Sequence, residues 1–113
     1  MNTTTFGVPC SNLKKIWDVD IPCTDEGQCM ALAAGAWLAG KTPIVQIQNS
    51  GLGNTVDIIT SLYLPYNIPL PHLDLGFRQL PLHHAVMGRK TINLLKLLEY
   101  PMKSVHFYER YGK

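Results

Sequence analysis

The apolar run Pro43-Ile44-Val45-Gln46-Ile47-Gln48 passes directly into Asn49-Ser50-Gly51-Leu52-Gly53, and then into Asn54-Thr55-Val56-Asp57-Ile58-Ile59. This succession constrains the fold more than any other part of the chain. A short apolar stretch bounded by small residues reads as a buried strand, and the segment after it carries helical spacing. The pattern predicts a strand over 43–48, a tight turn, and a helix over about 54–64. A strand that feeds straight into a helix belongs to a parallel sheet, whose neighbouring strands are joined by long crossovers. Two glycines and a serine at the tip let a ligand approach the main chain closely. The unpaired N–H groups that open a helix face the same place. No Lys-Ser/Thr follows the glycines, which argues against a nucleotide phosphate loop.

A second strand-turn-helix lies upstream. Val19-Asp20-Ile21-Pro22-Cys23 reads as a short strand, Thr24-Asp25-Glu26-Gly27-Gln28 as an acidic tip, and Glu26 or Gly27 to about Ala39 as a helix. Its alanines and Gly35 make that helix thin enough to pack closely, and Gly40 is the expected stop. Before it, Phe6-Gly7-Val8-Pro9 reads as a strand end and turn, and Ser11 is placed to cap a helix over 12–18. Leu70–Leu75 reads as a further strand that Pro71 demotes to an edge or irregular position. A loop from Gly76 to His84, a helix over about 85–99 and a last strand at Val105–Tyr108 complete the pass. The alternation predicts one α/β domain: a parallel sheet with helices on both faces, its ligands bound beyond the C-terminal strand ends. Both informative tips fall at such ends.

The 113 residues suffice for one small domain. A hydrophobic fraction of 46% suits a packed core, while 16% charged is low and suggests surface buried against another chain. The net charge of +2 calls for neither nucleic acid nor an acidic membrane. No apolar run reaches the roughly 18–20 residues that span a bilayer, and the first residues lack the basic and apolar regions of a secretion signal. Cys10, Cys23 and Cys29 are odd in number and outside any zinc spacing, so they read as reduced thiols of a cytoplasmic protein; Cys10, in a turn beside Pro9, is the one to test for reactivity.

The residues also carry a resemblance. Glu26-Gly27-Gln28 with Ala33-Ala34-Gly35-Ala36-Trp37-Leu38-Ala39-Gly40-Lys41, the run Gln48 to Asn54, Val8-Pro9-Cys10-Ser11-Asn12-Leu13-Lys14, and Met87-Gly88-Arg89 with Thr91 are four motifs in register. Together they resemble thiamine-diphosphate-dependent decarboxylases, in particular the sulfopyruvate and phosphonopyruvate decarboxylases, from Val8 to about Leu98. The resemblance implies the pyrimidine-binding (PYR) domain of such an enzyme over 1–113. Its diphosphate-binding (PP) counterpart, with a Gly-Asp-Gly…Asn motif for Mg²⁺, is not found in this sequence. A split enzyme is therefore expected, with a separate PP subunit that holds most of the metal, in an α₂β₂ or larger assembly that alone is active. Relative to the family the chain lacks a first helix before Val8 and anything substantial after the last strand. It also has Phe77-Arg78-Gln79 where phosphonopyruvate decarboxylases have Trp-Arg-Gly.

By the same resemblance Glu26 is the acid that hydrogen-bonds N1′ of the cofactor's aminopyrimidine. Sharing a proton there makes the 4′-amino group acidic, so that it can take the weakly acidic C2 proton, and a pocket of low dielectric suits the carboxyl to that role. Read from the residues alone, Glu26 could equally serve only to favour a helix N-terminus. Asn49, Ser50 and Gly51 are expected beside the pyrimidine, or simply as a tight turn. His84 aligns with the family's active-site histidine as a proton donor, and His83 is a candidate for the substrate anion. Two solvent-exposed loop histidines are the alternative. Arg78 is placed to bind a carboxylate, sulfonate or phosphonate through two parallel contacts, or to act as an ion-pair residue, and Ser11 lines the same cleft or caps its helix. Tyr63, Tyr66 and Trp37 are expected to pack the domain or an interface. The implied activity is decarboxylation of a short anionic 2-oxo acid, with a C–C bond-forming carboligase subunit and a non-catalytic scaffold as the alternatives.

Overall fold

The computed structural model describes residues 2–9, 19–79 and 82–108. Five strands form one parallel sheet in the order β2-β1-β3-β4-β5. They are β1 (Thr3–Gly7), β2 (Ile21–Pro22), β3 (Thr42–Gln48), β4 (His72–Gly76) and β5 (Val105–Tyr108). Helix α1 (Glu26–Leu38) connects β2 to β3, and α3 (Ala85–Leu97) connects β4 to β5. Between β3 and β4 the chain runs through a 3₁₀ segment (Asn49–Thr55), the single helical turn α2 (Val56–Ile58) and a π segment (Ile59–Tyr63). This is the α/β class that the alternation of strand and helix patterns predicts. The helix expected over 12–18, with Ser11 at its cap, and Cys10 lie outside the described residues.

One face of the sheet is apolar because alternate residues of each strand point the same way. Val45 and Ile47 of β3 stand beside Leu73 and Leu75 of β4 in the pairing register, and all four are at most 1% exposed. Phe6 extends that layer into β1, and Cys29, Met30, Ala33 and Ala34 of α1 join it in the same core. Full burial of one such aliphatic side chain stabilises by roughly 1.5–3 kcal/mol before ordering costs. Tyr63 and Tyr100 also enter the core, because each hydroxyl finds a main-chain acceptor: Tyr63 Oη donates to the Met30 carbonyl and Tyr100 Oη to the Pro71 carbonyl, both at 2.6 Å. Burial pushes both phenols above the usual tyrosine range. Of the other interface candidates, Tyr66 is 71% exposed and Trp37 40%.

Two expectations are corrected. The segment around Pro71 is not an edge or irregular strand: β4 begins at His72 and pairs with β3 on one side and β5 on the other. Pro71 stands just before the ladder, where its missing N–H costs nothing, and its carbonyl serves Tyr100. The segment 54–64 is not one regular helix but the 3₁₀, α and π pieces described above. Thr55 Oγ1 bonds back to the Leu52 carbonyl at 2.7 Å and Thr60 Oγ1 to the Val56 carbonyl at 2.9 Å. Such side-chain bonds compete with regular helix geometry.

Candidate active site

Because all five strands run the same way, Pro22, Gln48 and Gly76 end at one edge of the sheet, and the segments that follow them gather there. The first contribution is the start of α1. Asp25 caps it, accepting from the Gln28 N–H at 2.8 Å. The Gln28 side chain reaches back to accept from the Thr24 N–H at 2.7 Å and the Thr24 hydroxyl at 3.0 Å. This reciprocal arrangement follows capping-box logic. It fixes the next residue, Glu26, as the first of the helix, where the positive end of the helix dipole favours a carboxylate.

The second contribution is the 3₁₀ segment after β3. It brings Gly51 beneath the Glu26 side chain so closely that a Cβ there would fall inside the carboxyl group. Only glycine leaves that space. Asn54, three residues on, donates from Nδ2 to Glu26 Oε1 at 2.8 Å. The two informative tips of the sequence thus meet at Glu26, which is half-buried, and Ser50 lies exposed on the same segment.

The third contribution is the segment after β4. Asn49 is fully buried and holds this segment by its main chain: Nδ2 donates to the Arg78 carbonyl at 3.0 Å, and Oδ1 accepts from the Arg78 N–H at 2.9 Å. The same Nδ2 donates to Thr91 Oγ1 of α3 at 3.0 Å, and Thr91 in turn donates to the Met87 carbonyl at 2.7 Å. On α3, a Cβ at Gly88 would meet Gln79 Cγ at 2.6 Å and the Arg78 carbonyl at 3.1 Å, so the segment crosses the helix at the one residue without a side chain. The Gln48–Asn54 and Met87–Thr91 motifs are therefore two halves of one clasp around Arg78. All polar atoms of the Asn49 side chain are committed inside it.

His84 sits at the start of α3 and is 7% exposed, whereas its neighbour His83 is exposed; their rings lie 4.1 Å apart. His84 is thus not a solvent-exposed loop histidine. Burial first, then the charges of Arg78 and His83, hold its imidazole below the usual histidine range. This places Arg78 within electrostatic reach of His84. Ser11 lies outside the described residues.

Sequence reasoning gave Asn54 and Thr91 no role of their own. Both stand inside motifs, yet their parts depend on partners 28 and 42 residues away. Cys23 and Cys29 are free and buried, and burial foremost pushes the Cys29 thiol up, so Cys29 lacks the character of an activated nucleophile. A cavity of about 390 Å³ opens at the opposite end of the sheet, lined by Trp37, Lys41, Thr42, Pro69 and His72. It lies at the starts of β3 and β4, whereas Glu26, Asn54, Asn49 and the Arg78 main chain stand beyond the strand ends, so the site is assigned to those ends. Among the described residues no group of three or more His, Cys, Asp or Glu could hold a metal ion. No helix among them is long and apolar enough to cross a membrane.

Comparison with known proteins adds an independent line. No protein-family model matches the chain. It is 35% identical to the sulfopyruvate decarboxylase subunit alpha of Methanothermobacter thermautotrophicus, over 86% of this chain and 66% of that one. It is 37% identical to the corresponding subunit of Methanocaldococcus jannaschii, over 83% and 62%. Against the phosphonopyruvate decarboxylase of Streptomyces viridochromogenes it is 40% identical, over 86% of this chain and 28% of the relative. The chain therefore spans less than two thirds of the length of these relatives. The resemblance carried by the four motifs is one of descent: this chain is a homologue, over most of its own length, of the sulfopyruvate decarboxylase α subunits and the phosphonopyruvate decarboxylases.

Proposed function

We propose that the chain is the pyrimidine-binding component of a thiamine-diphosphate-dependent decarboxylase that acts on a short 2-oxo acid bearing a second anionic group. The meeting of Glu26 with Gly51 and Asn54 carries this reading. The names of the homologues, sulfopyruvate and phosphonopyruvate decarboxylase, support the reaction class and the kind of substrate.

The residues present fit the pyrimidine half of such a cofactor. Glu26 is a half-buried carboxyl with one oxygen held by Asn54, and it lies over the main chain of Gly51, where no Cβ displaces it. A thiamine cofactor, when bound, supplies the electron sink that the departing CO₂ requires. Glu26 would hold or share a proton with a ring nitrogen presented to it. Ser50 and Gly51, on the segment that meets Glu26, would help to hold the pyrimidine. Arg78, fixed by Asn49, offers a cation to the distal anion of the substrate, with His83 near it. His84, whose imidazole is held below the usual histidine range by burial and by Arg78 and His83, can take up or hand on a proton once the carboxylate is lost. Asn49 acts in this scheme by positioning Arg78, not through direct contact with the ring.

A separate PP-type subunit completes the reading. The designation "subunit alpha" of the relatives supports a second subunit, which would bring the diphosphate and its Mg²⁺. The test is to co-purify the chain with a candidate chain that carries the Gly-Asp-Gly…Asn motif. Bound thiamine diphosphate and CO₂ release from sulfopyruvate or phosphonopyruvate are then measured. The expected result is turnover by the complex alone, lost in Glu26→Gln while the cofactor still binds. Full turnover in Glu26→Gln overturns the assignment.

A further inference from the structure

Asn54 carries no role in the reading above beyond its contact with Glu26, and the geometry of that contact has a chemical consequence. A carboxyl group has two oxygens, and a proton on the wrong one is of no use to a ring nitrogen. The primary amide of Asn54 presents Nδ2 to Oε1 at 2.8 Å. An amide nitrogen only donates, so Oε1 is held as an acceptor. Against an ionised carboxylate, which only accepts, the amide turned the other way would set Oδ1 against a second acceptor, so an ionised Glu26 selects the orientation seen. Any proton shared by the Glu26 carboxyl then resides on Oε2, the oxygen that lies over Gly51.

Asn54 is itself held at a second point. A Cβ on Gly27 would meet the Asn54 carbonyl oxygen at 3.1 Å, so the main chain of residue 54 packs against the first turn of α1. The donor and the carboxyl are thereby tied to the same helix start. From this geometry we infer that Asn54 is a positioning residue that assigns the shared proton to Glu26 Oε2, and so sets the side chain's preference for a pyrimidine whose N1′ can exchange that proton. The inference rests on the function proposed above and extends it to a residue that reaches the ring only through Glu26.

The experiment uses the chain assembled with its PP-type partner. Dissociation constants are measured by calorimetry for thiamine diphosphate and for the analogue with a C–H in place of N1′. Asn54 is exposed, so its substitution leaves the core intact. The unsubstituted complex should prefer the cofactor over the analogue. Asn54→Leu should reduce that preference about tenfold, which is about 1.4 kcal/mol. Asn54→Asp should abolish it at neutral pH, where two carboxylates face each other, and recover part of it near pH 5, where a protonated side chain at 54 can again donate. A purely structural role for Asn54 would show no such recovery. Equal preference in Asn54→Leu and the unsubstituted complex overturns the inference while leaving the proposed function standing. Failure of the unsubstituted complex to bind thiamine diphosphate at all overturns both.

Discussion

Asn49 grips the peptide unit of Arg78 from both sides, donating to its carbonyl at 3.0 Å and accepting from its N–H at 2.9 Å. The two residues follow different strands, β3 and β4, and the amide bonds turn two strand ends into one rigid rim. Substitution of Asn49 should therefore cost more than its own volume. Asn49→Ala leaves the Arg78 peptide and the Thr91 hydroxyl without their partner and should destabilise by about 2–4 kcal/mol. Chemical denaturation of the chain measures this. In the assembled enzyme the milder Thr91→Val should raise KM for a dianionic 2-oxo acid more than for pyruvate, because it loosens the rim that presents Arg78.

Gly51 lies under Glu26, and its backbone is not left-handed, so alanine can adopt the same main-chain conformation. The three atoms nearest the new methyl of Gly51→Ala all belong to the Glu26 side chain, which it would displace. Glu26 can swing into solvent, so the fold should lose less than about 1 kcal/mol, while turnover should fall by about two orders of magnitude. Thermal melting and turnover of the complex, taken together, check the prediction. A variant that melts as before and still turns over would detach Gly51 from the site.

His84 gives a pH signature with a definite sign. Burial, Arg78 and His83 hold its folded pKa below the ordinary value of about 6.5. The unfolded chain then binds more protons between the two values, so stability rises with pH through that window. The contribution is complete above about pH 6.5, falls as pH drops below it, and levels off below the folded pKa. His84→Asn should flatten part of the decline below about pH 6.5, and Arg78→Gln a smaller part. Urea midpoints at a series of pH values measure both.

The two long helices end alike but with different residues. After α1, the Lys41 N–H bonds to the Ala36 carbonyl at 2.9 Å, and Gly40 takes the left-handed conformation at φ +87°. After α3, the Tyr100 N–H bonds to the Leu95 carbonyl at 3.0 Å, and Glu99 takes the same role at φ +60°. A side chain there costs roughly 1–2 kcal/mol that glycine avoids, part of it returned as unfolded-state entropy. Glu99→Gly should therefore raise stability by about 0.5–1 kcal/mol, seen as a melting point higher by a few degrees.

The sequence by itself determined the alternation of strands and helices, the parallel sheet, and the two tips that carry Glu26 and Gly51. These rest on local patterns: apolar runs, small residues at turns and an acidic tip before a helix. The same local reading placed Pro71 within an edge or irregular strand, because it could not see that the ladder begins one residue later and is paired on both sides. It expected Asn49 beside the pyrimidine or in a plain turn and gave Asn54 and Thr91 no role of their own, because the partners of all three lie 28 to 42 residues away. An asparagine at a turn has the same local appearance whether it faces solvent, a ligand or a buried peptide group. Its role is decided by which peptide or carboxyl group the folded sheet brings within hydrogen-bond reach, and that distance exists only once the strands have paired.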